Sequence, residues 1–286
     1  MGTYRYVALG DSFTEGMVDL RPGGGYRGWA DRLAEHLAAA GGTGGDDGTV
    51  VEYANLAVRG RLLPRIVAEQ VPRALELSPD LVSIVGGGND LLRPGADPDA
   101  LAEVLEDAVR RLRAGGAAAL LATSTDPAAA PLLRRTRGAV GVLNAHVWSI
   151  AQRHGCAVLD LWGLRAVADR RCWGEDRIHM TAEGHRRAAL AALDALGRPV
   201  PAGLSAAERD YRTPLPAAGP VRRRAALAAD LRWGRVHLLP WVRRRLLRTS
   251  SGAERTGKLP EPVPVLRPGA AARGGEGVRA AAPPAR

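Results

Sequence analysis

Cysteine is scarce in this chain. Cys156 and Cys172 are its two, too few for a disulfide framework and without the paired spacing of a structural zinc site, so both read as small, partly buried thiols. Long apolar runs are missing as well: no stretch approaches the roughly 20 residues that a helix needs to cross a bilayer, and any membrane contact is expected to be peripheral. The first residues enter an alternating stretch over 4–9 without the basic flank, apolar core and small-residue cleavage site of a secretory signal; the expectation is a cytoplasmic protein. No repeat of solenoid length is visible. Gly-x-x-x-x-Gly-Lys-Ser/Thr, a helix-opening Gly-x-Gly-x-x-Gly and His-Glu-x-x-His are all absent, so no nucleotide, metal or other cofactor is expected.

Lysine is nearly missing: all but one of the 40 basic residues are arginine, a bias that a genome's codon usage explains as well as phosphate binding does. The net charge of +10 is unevenly placed. From residue 201 onward there are 17 basic and 6 acidic residues, or +11, whereas residues 1–200 carry 23 basic and 24 acidic, or −1. The larger part of the chain is thus electrically balanced, and no nucleic-acid partner is expected from it.

What is present is enough apolar sequence, 46% of 286 residues, to bury a sizeable core. Short β-rich runs over 4–9, 50–56, 81–85, 117–122 and 157–161 alternate with helical patterns over 29–39, 62–77, 100–113, 132–154 and 182–196, the signature of βα units around a parallel sheet. Thr181 is placed to cap the last helix, and Gly197 and Pro199 close it. The glycine-rich stretch 41–48 reads as a surface loop. Texture changes near residue 198. The expected organisation is a domain over 1–198, a linker over 199–220, a basic amphipathic segment over 221–248 broken at Pro240, and a Pro/Gly/Ala-rich, unstructured tail over 249–286.

Four segments carry chemistry. The first strand ends in Gly10-Asp11-Ser12-Phe13-Thr14-Glu15-Gly16. Open α/β sheets place their sites at the C-terminal edges of parallel strands, although a serine there also serves as a plain helix cap. After the second strand comes Gly60, able to turn an N–H into a site or simply to make a turn. After the third, Gly86-Gly87-Gly88-Asn89-Asp90 can project Asn89 toward a carbonyl oxygen, or can form a tight turn in which Asn89 bonds its own backbone. Asp176 and His179, three apart on the loop before the last helix, can pair so that the second imidazole nitrogen accepts a hydroxyl proton; a surface ion pair is the alternative. His185 lies inside that helix and is a weaker candidate, while His36, His146, His154 and His237 show no such partner arrangement.

Together these blocks resemble the SGNH/GDSL hydrolase family of lipases, esterases and acylhydrolases. The matching residues are Ser12 in Gly-Asp-Ser, Gly60, Asn89 in Gly-Gly-Asn-Asp, and Asp176 with His179 in Asp-x-x-His. The Gly-x-Ser-x-Gly elbow of the ordinary α/β-hydrolase fold is not there, position 14 being Thr. The resemblance covers about the first two hundred residues. It implies a three-layer α/β/α fold around a central, parallel, five-stranded sheet, with the basic C-terminal extension outside it. It also implies a serine hydrolase cleaving carboxylic esters through an acyl-enzyme: Ser12 the nucleophile, His179 the base, Asp176 its support, and the oxyanion held by the N–H groups of Ser12 and Gly60 and the amide of Asn89. The implied partner is a small-molecule or lipid acyl ester.

In the basic segment Leu227, Leu231, Leu238 and Val242 project to one side, flanked by Arg222–Arg224 and Arg243–Arg245 and near Trp233 and Trp241. Such a segment either docks on the domain or meets an anionic membrane surface. An acyltransferase with the same residues, and a non-catalytic adaptor with a basic tail, are the rival functions.

Overall fold

The structure, a computed structural model, describes residues 2–41, 49–130, 133–219, 223–240, 252 and 254–266. Among these, six strands form one sheet in the order β5-β4-β3-β1-β2-β6. They are β1 (Thr3–Leu9), β2 (Val50–Asn55), β3 (Leu81–Ile84), β4 (Ala118–Ala122), β5 (Ala157–Leu159) and β6 (Leu259–Pro264). The first five run parallel, with β1 between β2 and β3.

β1 is buried on both faces, and its alternation sorts the core into two layers. Val7 and Leu9 pack with α3 (Leu63–Glu76), α5 (Pro98–Ala114) and α6 (Arg137–His154). Tyr6 and Ala8 pack on the other side with α2 (Trp29–Ala39) and α7 (Ala182–Ala195). The expected three-layer α/β/α architecture is therefore present. Two short helices, α1 (Ser12–Glu15) and α4 (Gly88–Leu91), follow β1 and β3. α6 starts later than its apolar pattern suggests, behind a 3₁₀ turn at Arg134–Thr136.

The expected five-stranded sheet needs one correction, because β6 adds a sixth strand, antiparallel to β2, from the stretch expected to be unstructured. Its sequence alternates proline at 260, 262 and 264. Proline has no N–H, and every second residue of a strand points its N–H to the same edge, so pairing with β2 puts all three prolines on the outer edge. Composition alone reads such a segment as disordered; in place it blunts the sheet's exposed edge.

The stretch expected as a linker also packs. Arg187 donates to the carbonyls of Tyr211 (3.0 Å) and Thr213 (2.7 Å), and Tyr211 and Leu215 rest against the α2–α7 layer. Beyond a short α8 (Ala206–Arg209), α9 (Arg223–Trp233) runs on into a π-helical turn, Gly234–Leu238. Residues 42–48 of the glycine-rich loop, 221–222 and 241–248 of the basic segment (Trp241, Val242 and Arg243–Arg245 among them) and 267–286 of the tail lie outside the described residues.

Candidate active site

β1 delivers its C-terminal end to Gly10. With φ near +154° there, a Cβ would sit 2.6 Å from Thr14 Oγ1 and 2.8 Å from the Val85 carbonyl oxygen, so glycine is required. Gln70 on α3 locks the position, accepting from Gly10 N (2.8 Å) and donating to Gly10 O (2.9 Å). Asp11 then caps α1, its Oδ1 accepting from Phe13 N at 3.0 Å. Ser12 thereby becomes the first helical residue, where an N–H has no intrahelical partner. The Phe13 ring stacks on both Trp29 and His185, with centroids 5.7 Å apart in each case, and pins the helix to the α2–α7 layer.

The loop before α7 is closed at its base by a bridge between Trp173 and Met180 and by Gly174 N donating to His179 O at 2.8 Å. Arg177, at its tip, has φ near +63°, a left-handed conformation uncommon outside glycine. This fold of the loop turns His179 inward. Its Nε2 lies 2.9 Å from Ser12 Oγ, and its Nδ1 lies 2.6 Å from Asp176 Oδ2. The other Asp176 oxygen accepts from the N–H groups of Ile178 and His179, both at 3.0 Å. Burial pushes the Asp176 carboxyl up, but the His179 imidazole and the two N–H groups outweigh it and hold the pKa down at about 2. A hydroxyl bonded to an imidazole whose far nitrogen faces an ionised carboxylate is set up to lose its proton.

The loop after β2 reaches the same place. Asn55 Nδ2 donates to Thr14 O (2.9 Å), Val58 N to Gly10 O (3.2 Å) and Arg59 N to Glu15 Oε2 (2.8 Å). A largely buried Arg59–Glu15 ion pair, with side chains 12% and 9% exposed, fastens this loop to α1. Gly60 follows with φ near +73°. Neither its N–H nor that of Ser12 has a hydrogen-bond partner among the described residues.

Asn89 on α4 lies beside them, but its amide is occupied. Nδ2 donates to Asp11 Oδ2 at 2.8 Å and to Arg61 O at 3.1 Å, so each of its two hydrogens has an acceptor. Asp11 is itself unusual. Burial, with the nearby Asp90 charge adding to it, raises its carboxyl to about 6 against the pull of the Phe13 N–H and His179.

The structure brings Ser12, Gly60, Asn89, Asp176 and His179 together, with His185 behind them against Phe13. His185 is fully buried, accepts from Trp29 N through Nδ1 (3.2 Å), and is held neutral by burial, which lowers its pKa to about 3. His146 and His154, without a local carboxylate arrangement like that of His179, meet carboxylates across the α5–α6 contact instead: Asp99 at 2.6 Å and Glu106 at 2.8 Å. Partners 47 and 48 residues away leave no local trace in sequence. Cys172 is buried, which pushes its thiol up to about 11. Sequence reasoning did not single out Gln70, Asn55 or Glu15. Glu15 left a signal, as one of the two acidic residues of the Ser12 block, and Asn55 as the residue that opens the block ending in Gly60.

Residues 8–187 match the GDSL-like Lipase/Acylhydrolase family. The chain belongs to that family. This GDSL hydrolase is accordingly a carboxylic ester hydrolase. No curated protein matches its sequence. In fold it is similar to LAE5, described as an alpha/beta hydrolase enzyme from the metagenome of Lake Arreo, Spain, at 22% identity over 69% of this chain and 97% of that one, with a TM-score of 0.57. It is similar as well to TesA, at 24% identity, 67% and 97% coverage and a TM-score of 0.54. A third is Axe2, an acetylxylan esterase from Geobacillus stearothermophilus, at 20% identity, 69% and 96% coverage and a TM-score of 0.56. At such identities the likeness is one of fold.

Proposed function

We propose that this GDSL hydrolase cleaves its ester through a covalent acyl-enzyme on Ser12. The observation that carries this reading is the line from Ser12 Oγ through His179 to Asp176, with contacts of 2.9 and 2.6 Å. His179 Nε2 takes the hydroxyl proton as Ser12 Oγ attacks the acyl carbon, and Asp176 steadies the imidazolium that forms. The imidazolium then gives the proton to the departing alcohol. Water enters, loses a proton to His179 and releases the acid, restoring Ser12. The free N–H groups of Ser12 and Gly60 are the first donors to the oxyanion. Asn89 joins them by turning one hydrogen away from Arg61 O, the longer of its two contacts, while Asp11 keeps the amide in register.

The test is covalent labelling by a fluorophosphonate probe, mapped by peptide mass spectrometry. Label on Ser12, lost in Ser12→Ala together with hydrolysis of p-nitrophenyl esters, is the expected result. Ester hydrolysis that survives Ser12→Ala would overturn the mechanism. A chain-length series of the same esters then ranks small acyl groups against lipid-like ones.

A specific observation favours lipid-surface contact through α9. Leu227 and Leu231 stand 61% and 64% exposed, with exposed Arg224, Arg232 and Arg235 on the same segment. Basic residues beside exposed leucines suit an anionic bilayer. At low salt, vesicles containing phosphatidylglycerol should float the full chain and lose Leu227→Glu/Leu231→Glu; equal retention of both would end this idea.

A further inference from the structure

The C-terminal stretch supplies nothing to the Ser12–His179–Asp176 line, yet it grips the loops that carry that line from two sides. On one side stands α9. Trp233 donates its indole N–H to the Asp176 carbonyl oxygen at 2.9 Å, and Asp230 is ion-paired with Arg177. The Arg177 guanidinium also lies 4.8 Å over the Trp233 ring. Arg177 is the residue with left-handed backbone at the tip of the His179 loop, a conformation that persists only where surroundings impose it. Asp230 and Trp233 hold its side chain, beside the loop's own bond from Arg177 N to Gly174 O at 3.1 Å.

On the other side stand Gly252 and residues 254–258. Gly252 O accepts from Arg61 Nη1 at 2.8 Å, and the Arg61 carbonyl is the one that receives the Asn89 amide. Lys258 Nζ donates to Glu15 O at 2.9 Å and to Asp31 Oδ2 at 2.6 Å, in a site where its side chain is 17% exposed. Glu15 O belongs to the last turn of α1, where carbonyls lack helical partners and a cation is favoured. Glu15 is also the residue whose carboxylate holds Arg59 next to Gly60. One ammonium therefore braces the helix that begins at Ser12 and, through Glu15, the Gly60 loop.

The identity of that residue points the same way. Lys258 is the sole lysine of a chain with 40 basic residues. A bias that strong makes arginine the default, and a compact ammonium suits a largely buried spot where one nitrogen meets both Glu15 O and Asp31 Oδ2.

We propose that Lys258 and Trp233 are positioning residues, and that this hydrolase is catalytically complete only when its C-terminal segment braces the Ser12–Gly60 side and the Asp176–His179 side of the site together. The proposal rests on the Ser12 acyl-enzyme reading. Misplacing reacting groups by a fraction of an ångström lowers turnover without touching substrate affinity.

The test uses full-length K258M and W233F, with E261Q as a control on the same C-terminal segment but away from the site. Turnover of p-nitrophenyl acetate is expressed per Ser12 titrated by fluorophosphonate, so that unfolded molecules do not count. K258M and W233F are each expected to lower kcat about tenfold with KM within about twofold, and E261Q to match the parent. W233F, acting on the Asp176 side, should also displace the pH profile of kcat/KM. K258M leaves the buried Asp31 carboxylate with Arg21 and the Gly28 N–H and should melt earlier; K258M/D31N, which also gives up the Arg21 pair, should recover part of the melting temperature and keep the low kcat, which a purely stabilising role would not do. If neither Lys258 variant folds, W233F decides, because it removes the indole N–H that meets Asp176 O while leaving a smaller aromatic ring at the position of the Arg177 contact. Parental kcat per titrated site in the folded variants would overturn the proposal. Failure of the parent itself to label at Ser12 would instead sink the acyl-enzyme reading beneath it.

Discussion

Asp11 and Asn89, 78 residues apart, are joined by a 2.8 Å hydrogen bond from the Asn89 amide to a carboxylate buried beneath Ser12. The bond fixes which end of the Asn89 side chain faces the site, since a carboxylate accepts and the amide nitrogen must be the atom that meets it. It also leaves a single, weaker contact, to Arg61 O, for an oxyanion to displace.

Asn89→Ala is therefore expected to lower kcat by about 10²–10³ and to leave KM close to its starting value, because the amide is drawn onto the substrate oxygen only as negative charge develops there. Steady-state kinetics on one p-nitrophenyl ester settles it. An unchanged kcat would remove Asn89 from the oxyanion site.

The two aspartates of the site, Asp11 buried and Asp176 half-buried, should pull stability in opposite directions with pH. Asp11, raised to about 6, holds its proton more tightly in the folded chain than in the unfolded one. Its contribution is fully present below pH ~4 and is lost as pH rises through about 6, a change on the order of 2–3 kcal/mol. Asp176, held at about 2, contributes above pH ~4 and loses that contribution as pH falls through about 2. Melting temperatures between pH 3 and 8 should show Asp11→Asn gaining on the parent from pH 4 to 6. Parallel curves over that interval would contradict the Asp11 assignment.

Gly10→Ala should destabilise by about 1–3 kcal/mol, since its methyl would press on the buried Thr14 Oγ1 and on the Val85 backbone carbonyl, which shifts only with its strand. Urea unfolding measures it. A midpoint equal to the parent's would mean that the strand end yields.

Glu15 and Arg59 should be energetically coupled. A double-mutant cycle with Glu15→Gln and Arg59→Gln is expected to return about 1–3 kcal/mol, as for partners in one largely buried network. Each single change should also lower kcat, since the pair ties the Gly60 loop to α1. Strict additivity would show the two loops to be held by something else.

The parallel strands and their helices were legible because each announces itself within a few residues: β-rich runs on one side of a turn, a 3.6-residue apolar period on the other. Asp176 and His179 were legible for a similar reason, being three apart on one loop, and Gly10-Asp11-Ser12 because a strand end and a helix cap meet there. β6 was hidden, since alternate prolines look like disorder until one asks which edge of a sheet they would face. Hidden too were the acceptors of the Asn89 amide, the carboxylate partners of His146 and His154, and every contact of Lys258 and Trp233.

Sequence by itself thus determined the layered α/β architecture of this hydrolase and the residue types at its site, through periodicity and hydrogen bonds that act between near neighbours in the chain. Tertiary structure alone decided that Asn89 would face Asp11, that Glu15 would fasten Arg59, and that Lys258 would reach back 243 residues to the end of α1. Pairings of that range depend on which strand edges and loop ends meet once the core has closed, and no local spacing encodes that meeting.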